Sequence, residues 1–319
     1  MSLSVSTQGQ TLNVKLFPRA ARVMSSLTWC VRGWVCVKLL PLSARAVVDA
    51  DKRSAGTGGR FSMFDVHAGA TRAVAASGVV AERVMLDELL EDIVERAVGE
   101  GTFSVLEGAR AVPAHVRGLM ATATVQVKVE MADRFAALSL PGDVVRVEAI
   151  ADVAAGVLEG GRRLDVGQCE AAGAIAGTDR LVTVTGPTGT GKTTMLKVAR
   201  QALLNQGRAL VVVAPTKKAA SVAGRETGAV SSSLHALLVD HGWQFGQDAS
   251  GQEVWWQLQL REVNPVTGDI FEGPRKYQLR AGDWVVVDEA GIVDLNTARA
   301  LVITAEQSGA GIAMVGDHL

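Results

Sequence analysis

Leu181-Val182-Thr183-Val184-Thr185-Gly186-Pro187-Thr188-Gly189-Thr190-Gly191-Lys192-Thr193-Thr194 is the stretch whose reading decides the fold. Its first five residues have the composition of a buried strand and run directly into the pattern G-x-x-x-x-G-K-[ST]. Glycines let the backbone curl so that successive N–H groups point inward at phosphate oxygens. A helical pattern follows over Lys192–Asn205, and its N-terminal dipole adds to the attraction for anions. Gly186, Thr188, Gly189, Thr190, Gly191, Lys192, Thr193 and Thr194 are therefore the expected ATP-binding residues. Lys192 is expected to reach the β- and γ-phosphates, and the Thr193 hydroxyl to coordinate Mg²⁺.

Outward from this loop the chain alternates. Leu210–Ala214, Trp284–Val287 and Ile312–Val315 read as further short buried strands, with helices over Asp165–Ile175 and Leu295–Ser308. Continuous apolar strands joined by helices predict an α/β fold, a parallel sheet with helices on both faces. Ligands of such sheets sit at the carboxyl ends of the strands, and polar residues follow each strand there. After Trp284–Val287 come Asp288, suited to hold the metal through its water shell, and Glu289, suited to orient and deprotonate an attacking water. Gly316 and Asp317, after Ile312–Val315, are placed to sense the γ-phosphate and couple it to a second site. Pro215, Thr216, Lys217 and Lys218 end another strand, and a hydroxyl, two cations and free N–H groups there suit a nucleic-acid backbone. His235 begins the next helix and adds a possible contact. The amide of Gln168, just ahead of the loop strand, has the donor–acceptor pair to read an adenine edge. Elsewhere an Asp-Glu pair is a solvated loop, paired lysines a solvated face, and a lone Gln surface decoration; only their positions after strands of one sheet raise them above that.

Composition sets the bounds. A chain of 319 residues holds about two domains at ~100–200 residues each. Hydrophobic residues make up 48% and charged ones 20%, with a net charge of −1. That balance excludes a uniformly basic coat but not a local basic groove, which needs only a few Lys and Arg. Three cysteines (Cys30, Cys36, Cys169) without a CxxC pair argue against disulfides and structural zinc, so a cytoplasmic location is expected. Leu27–Leu42 imitates a secretory signal, yet Arg32 and Lys38 interrupt it and it falls short of the ~20 residues of a membrane span. A buried strand pair or a poorly defined leader is the expectation there, with no membrane partner.

Residues 1–60 stand apart as a basic leader, closed by the linker-like Ser54-Ala55-Gly56-Thr57-Gly58-Gly59. Residues 61–150 read as a mainly helical accessory domain: Leu86, Leu89, Leu90, Ile93, Val94 and Ala97 recur at helical spacing, and a second helix covers about Thr122–Leu138. Residues 160–319 form the nucleotide-binding domain, with an insertion over about 241–282. Alternation at Val254, Trp256, Leu258 and Leu260 predicts a β-hairpin there, with Asn264–Gly268 as a turn. Trp243, Trp255 and Trp256 are expected to pack on the sheet rather than stack on bases.

Taken in order, these elements resemble the motifs of superfamily 1 helicases. Gln168 falls at the Q motif, Gly186–Thr194 at motif I, Ala214–Ala219 at motif Ia, Ser231–His235 at motif Ib, Asp288–Gly291 at motif II and Val315–His318 at motif III. The likeness is greatest to the helicase part of conjugative relaxase-helicases of the TraA/TraI (MobF) type, notably over Ala174 to Thr194 and Asn264 through Gly291. The resemblance implies a RecA-like sheet, a 5′→3′ DNA helicase motor and single-stranded DNA as partner. The relaxase Tyr and His cluster of that family has no counterpart, for five scattered His and the lone Tyr277 make no such site. The family would place a Gln next after Leu319 and then a second RecA-like domain with its arginine finger. The chain thus reads as a fragment that binds ATP and alone turns it over little. A RecD-like exonuclease helicase subunit, a non-catalytic nucleotide- or DNA-binding remnant and a P-loop small-molecule kinase are the alternative readings.

Overall fold

A computed structural model describes residues 2–7, 10–15, 28–31, 35–106, 113–187 and 189–317. The chain forms two compact units, residues 1–126 with 246–254, and residues 127–245 with 255–319.

In the first unit β1 (Ser2–Thr7) pairs antiparallel with β2 (Gln10–Lys15), and β3 (Thr28–Val31) with β4 (Val35–Lys38). Helices α1 (Leu39–Arg53) and α2 (Met63–Ser77) follow, then the short β5 (Val79–Val80), which joins β1. Next come α3 (Arg83–Gly101), β6 (Thr102–Ser104) and β7 (Leu119–Ala121), the last two paired antiparallel. The three helices enclose Leu42, Ala46, Val66, Ala70, Leu89 and Ile93. The glycine-rich Ser54–Gly59 stretch is a 3₁₀ turn at Ala55–Thr57 ending in left-handed Gly58, rather than an open linker. Ser54 is buried in it, with its hydroxyl donating to Asp51 O at 2.7 Å. Asp65 then closes a capping box with Ser62 and starts α2. Among the described residues no helix is long and apolar enough to cross a membrane.

Helix α4 (Thr122–Leu138) leads into the second unit, which continues with α5 (Val147–Val157) and α6 (Val166–Ala176). The sheet strands are β8 (Leu181–Thr185), β9 (Leu210–Ala214) and β10 (Val230–Ser233), with α7 (Lys192–Asn205) and α8 (Lys217–Thr227) between them. After β10 come α9 (Leu234–Asp240), then β11 (Trp243–Gln247) and β12 (Glu253–Gln257), which pair with each other. β13 (Trp284–Val287), α10 (Leu295–Ser308) and β14 (Gly311–Gly316) complete the unit. The five sheet strands are all parallel, in the order β10-β9-β13-β14-β8. This is the P-loop, RecA-like α/β class.

Strand periodicity divides the side chains between two cores. Leu210, Val212, Trp284, Val286, Ala313 and Val315 face one core with α5, α6, α7 and α8. Val211, Val213, Val285, Val287 and Ile312 face the other with α4, α9 and α10. Registry keeps the faces aligned, since Trp284 opposes both Leu210 and Gly311, and Val286 opposes both Val212 and Ala313. β8 departs from the buried strand expected of it: Thr183 and Thr185 are exposed. Among the described strands its one neighbour is β14, and at such an edge a side chain is covered less. On the second face Glu130 of α4 accepts from Arg299 of α10 at 2.7 Å and from Arg134 at 2.9 Å. These arginines, Arg299 foremost, hold the Glu130 carboxyl below its usual range.

The insertion differs in detail from its expected form. The hairpin is β11–β12 and turns at Asp248–Gln252, where Asp248 N–H donates to Gln252 O at 3.0 Å. Asn264–Gly268 is a separate turn, in which Asn264 Oδ1 accepts from Val266 N–H at 2.8 Å. Trp243 packs on the sheet as expected, buried and donating through its indole N–H to Thr304 Oγ1 at 2.9 Å.

Gly311 owes its identity to Trp284, which is fully buried beside it. A Cβ at Gly311 would lie 2.8 Å from the indole ring. Gly311→Ala is expected to cost about 1–3 kcal/mol through overpacking, read as a lower urea midpoint; an unchanged midpoint would mean the sheet yields at no cost.

Candidate nucleotide and nucleic-acid site

Every candidate residue in the described part of the second unit except Gln168 lies at the carboxyl edge of the sheet. In strand order that edge carries His235 after β10, Pro215–Lys218 after β9, Asp288–Glu289 after β13, Asp317 after β14 and the glycine loop after β8. Thr188 and His318 lie outside the described residues.

The loop is held open by its own contacts. Gly189 and Gly191 have φ of +83° and +75°, conformations that need no Cβ. Thr190 Oγ1 donates to Pro187 O at 2.8 Å, and Gly186 N–H donates to Gly316 O at 3.3 Å, tying the loop to the end of β14. Helices α6, α8, α9 and α10 are capped by the side chains of Asp165, Thr216, Ser233 and Asp294. Helix α7 instead begins on Gly191, which has no side chain to offer. First-turn N–H groups have no intrahelical acceptor, so this helix start is left for an anion.

Gln168 is committed to the scaffold. Its Oε1 accepts from Asp165 N–H at 3.0 Å to complete a capping box, and its Nε2 donates to Thr190 O at 2.7 Å. A Cβ on Gly191 would meet that same amide at 2.8 Å. Gln168 thus braces the loop from outside, a role its sequence position alone does not reveal.

Lys192 Nζ donates to Gly186 O at 2.7 Å, to Pro187 O at 3.0 Å and to Asp317 Oδ1. Asp288, at the end of β13, is partly buried. Burial pushes its carboxyl above the usual range; the Glu289 N–H at 3.1 Å and the Lys192 charge oppose this, while Asp317 and Glu226 reinforce it. Acids crowded around one lysine favour a cation. Among the described residues no cluster of three or more His, Cys, Asp or Glu side chains is arranged to hold a metal. Thr193 and Asp288 supply a sparse oxygen donor set, which suits Mg²⁺ arriving with phosphates and keeping several waters. Beside them Leu158, Arg162, Thr193, Thr194, Lys197 and Glu226 line a cleft of about 720 Å³.

Glu289 is exposed and left-handed, with φ +58° and ψ +38°. Outside glycine that conformation costs on the order of 1–3 kcal/mol and concentrates at functional sites.

The other half of the edge is basic and aromatic. Thr216 Oγ1 accepts from Ala219 N–H at 3.2 Å and caps α8, so its lone pairs serve the helix as well. Lys217 and Lys218 are exposed. His235 is exposed too, with its ring 5.6 Å from Phe245 and 5.7 Å from Trp255. Phe245 is the residue that motif reading passed over here; the hairpin brings it to His235 together with Trp255, which also packs against the sheet core as expected.

Comparison with known proteins agrees with this geometry. Residues 163–319 match the AAA domain family. The chain is 32% identical over 143 residues to a probable conjugal transfer protein TraA of Sinorhizobium fredii (strain NBRC 101917 / NGR234), covering 45% of this chain and 10% of that protein. It is 38% identical over 127 residues to the ATP-dependent DNA helicase dda of Enterobacteria phage T4, covering 39% and 24% respectively. A conjugal transfer protein TraA of Rhizobium radiobacter is 31% identical over 145 residues, covering 45% and 10%. The chain therefore spans a tenth to a quarter of the length of these relatives, and its AAA region resembles superfamily 1 helicases of the TraA and Dda kind.

The strain at Glu289 is testable apart from any activity. Glu289→Gly is expected to leave folding stability unchanged or raise it by up to about 1 kcal/mol, measured by urea denaturation. A clear loss would show that contacts of the Glu289 side chain outweigh its backbone strain.

Proposed function

We propose that residues 160–319 are the ATP-binding motor domain of a 5′→3′ DNA helicase that serves conjugation, with 61–150 as an accessory domain. The observation that carries this reading is the distribution of chemistry along one sheet edge: a phosphate loop with Lys192 after β8, Asp317 after β14, Asp288 and Glu289 after β13, and Lys217, Lys218 and His235 after the two strands beside them. A small-molecule kinase has no use for the second group. The DNA polarity and the conjugative setting rest on the resemblance to TraA-type proteins.

In this reading the α7 N-terminus and the loop N–H groups hold the β- and γ-phosphates, and Lys192 neutralises them. Thr193, and Asp288 through water, would hold Mg²⁺, which would balance phosphate charge. Glu289 orients the attacking water and takes its proton; it is exposed, and among the described residues no hydrogen bond to its carboxylate competes for that water. Lys217, Lys218 and the Thr216 turn hold the backbone of single-stranded DNA, and a second RecA-like domain supplies the arginine that completes the site.

Two measurements test the assignment. Lys192→Ala is expected to abolish Mg-ATP binding by the 319-residue chain in calorimetry, because Lys192 is the cation inside the loop; equal affinity of parent and variant would sink the site. Joined to a second motor domain, the parent should release phosphate faster with single-stranded DNA, and Glu289→Gln should keep ATP binding while losing turnover by about 10²–10⁴-fold. A rate indifferent to DNA would favour a kinase instead.

A further inference from the structure

The turn of the β11–β12 hairpin, residues 246–254, belongs to the first unit, while Phe245 and Trp255 on either side of it belong to the second. The turn builds itself. Asp248 Oδ1 accepts from Ser250 N–H at 2.8 Å, from the Ser250 hydroxyl at 2.6 Å and from Gln252 N–H at 3.0 Å, an Asx arrangement. Gly251 completes it with φ +82°. Two of its carbonyls are taken up by helix α1. Ala249 O accepts from the Arg45 guanidinium at 3.2 and 3.4 Å, and Gly251 O accepts from Lys52 Nζ at 2.9 Å. Seven residues apart, Arg45 and Lys52 stand two turns from each other on one exposed face of α1. Leu42, Ala46, Val47 and Ala50 of the same helix lie in the core. The seat is not close-packed, for a cavity of about 340 Å³ lies beside the turn, lined by Val47, Val48, Ala97, Asp248, Ser250 and Gln252 among others. Charge-assisted hydrogen bonds to main chain therefore hold the turn, in place of interlocked side chains.

Resting on the reading of the basic edge as a nucleic-acid site, we infer that α1 is the clasp of this hairpin, with Arg45 and Lys52 as positioning residues for single-stranded DNA that they do not touch. Among the described strands β11 and β12 pair only with each other, and a lone two-stranded hairpin is marginal in water. Its turn end needs support from outside, and the two cations supply it. The clasped turn begins one residue after Phe245 and ends one residue before Trp255. Those two rings lie 5.1 Å apart and stand 5.6 and 5.7 Å from His235. A hairpin released at its turn frays first toward these neighbours, and the aromatic wall beside His235 loosens with it. Arg45 and Lys52 spend their donors on carbonyls, so their effect on DNA passes through the hairpin and not through their charge. Asp248 serves the same end with the opposite charge, by shaping the turn that they hold.

Two readouts on the 319-residue chain test this. In amide hydrogen exchange, the double variant Arg45→Gln, Lys52→Gln is expected to speed the Asp248 and Gly251 amides about tenfold, the size of one hydrogen bond to a charged group. The amides of α7 and β13 should exchange as in the parent. In binding of a labelled single-stranded oligothymidylate, the same variant is expected to bind about three- to tenfold more weakly, as when part of one base contact is lost. The slope of log affinity against log salt should stay that of the parent. Asp248→Ala removes a negative charge yet unmakes the turn, and it is expected to weaken binding as well. Unchanged exchange in the double variant would overturn the clasp. A salt slope reduced by about 0.7 per lost cation, or tighter binding by Asp248→Ala, would overturn the positioning role by showing that these charges act on phosphates directly. A parent chain that does not bind the oligonucleotide would instead overturn the nucleic-acid reading and the DNA half of this inference, with the exchange rates still deciding the clasp.

Discussion

Burial of β9 and β13 on both faces is the constraint from which the rest of the second unit follows. Val212 and Val286 must point into one core while Val211, Val213, Val285 and Val287 point into the other. Such strands have no face left for polar side chains, so chemistry can be carried only where they end. Parallel pairing puts those ends on one edge. At the amino ends Asp283 accepts from Ala209 N–H at 2.7 Å and Arg280 N–H at 2.8 Å; its polar work there is structural.

At the carboxyl edge the polar groups are less comfortable. Asp288 loses solvation by sitting at the mouth of a buried strand, and Asp317 and Glu226 add like charge. Glu289 holds a backbone conformation that favours glycine. Lys192 is the counterweight, with its donors spread over two carbonyls and a carboxylate. These are costs that a fold selected for stability alone would remove, and they lie on neighbouring strands.

Strand order also sets the distance between the two halves of the edge. The Asp288 strand β13 adjoins β9, whose end carries Thr216, Lys217 and Lys218. Adjacent strands lie about 4.8 Å apart, so a shift at the phosphate side needs to cross one strand spacing to reach the basic side. Asp288 N–H donates to Val213 O at 2.8 Å, a direct link between those two strand ends. The phosphate-loop side and the basic side of the edge are thus joined by a short physical route.

The sequence by itself determined the elements whose causes are local. Gly186, Gly189 and Gly191 with Lys192 declare the loop because the turn they permit is built from consecutive residues, and Leu210–Ala214 and Trp284–Val287 declare strands because they are apolar without interruption. Tertiary structure decided what depends on pairing between distant segments. That β14 lies between β8 and β13, and so brings Asp317 to Lys192 across 125 positions, follows from sheet order, which no local pattern encodes. The exposure of Thr183 and Thr185 follows from the same order, because β8 is covered by a neighbour on one side. Gln168 turned out to brace Thr190, and Phe245 and Trp255 to meet His235, for the same reason. A side chain's type fixes the bonds it can make, but only the packing of strands and helices decides which partner lies within reach.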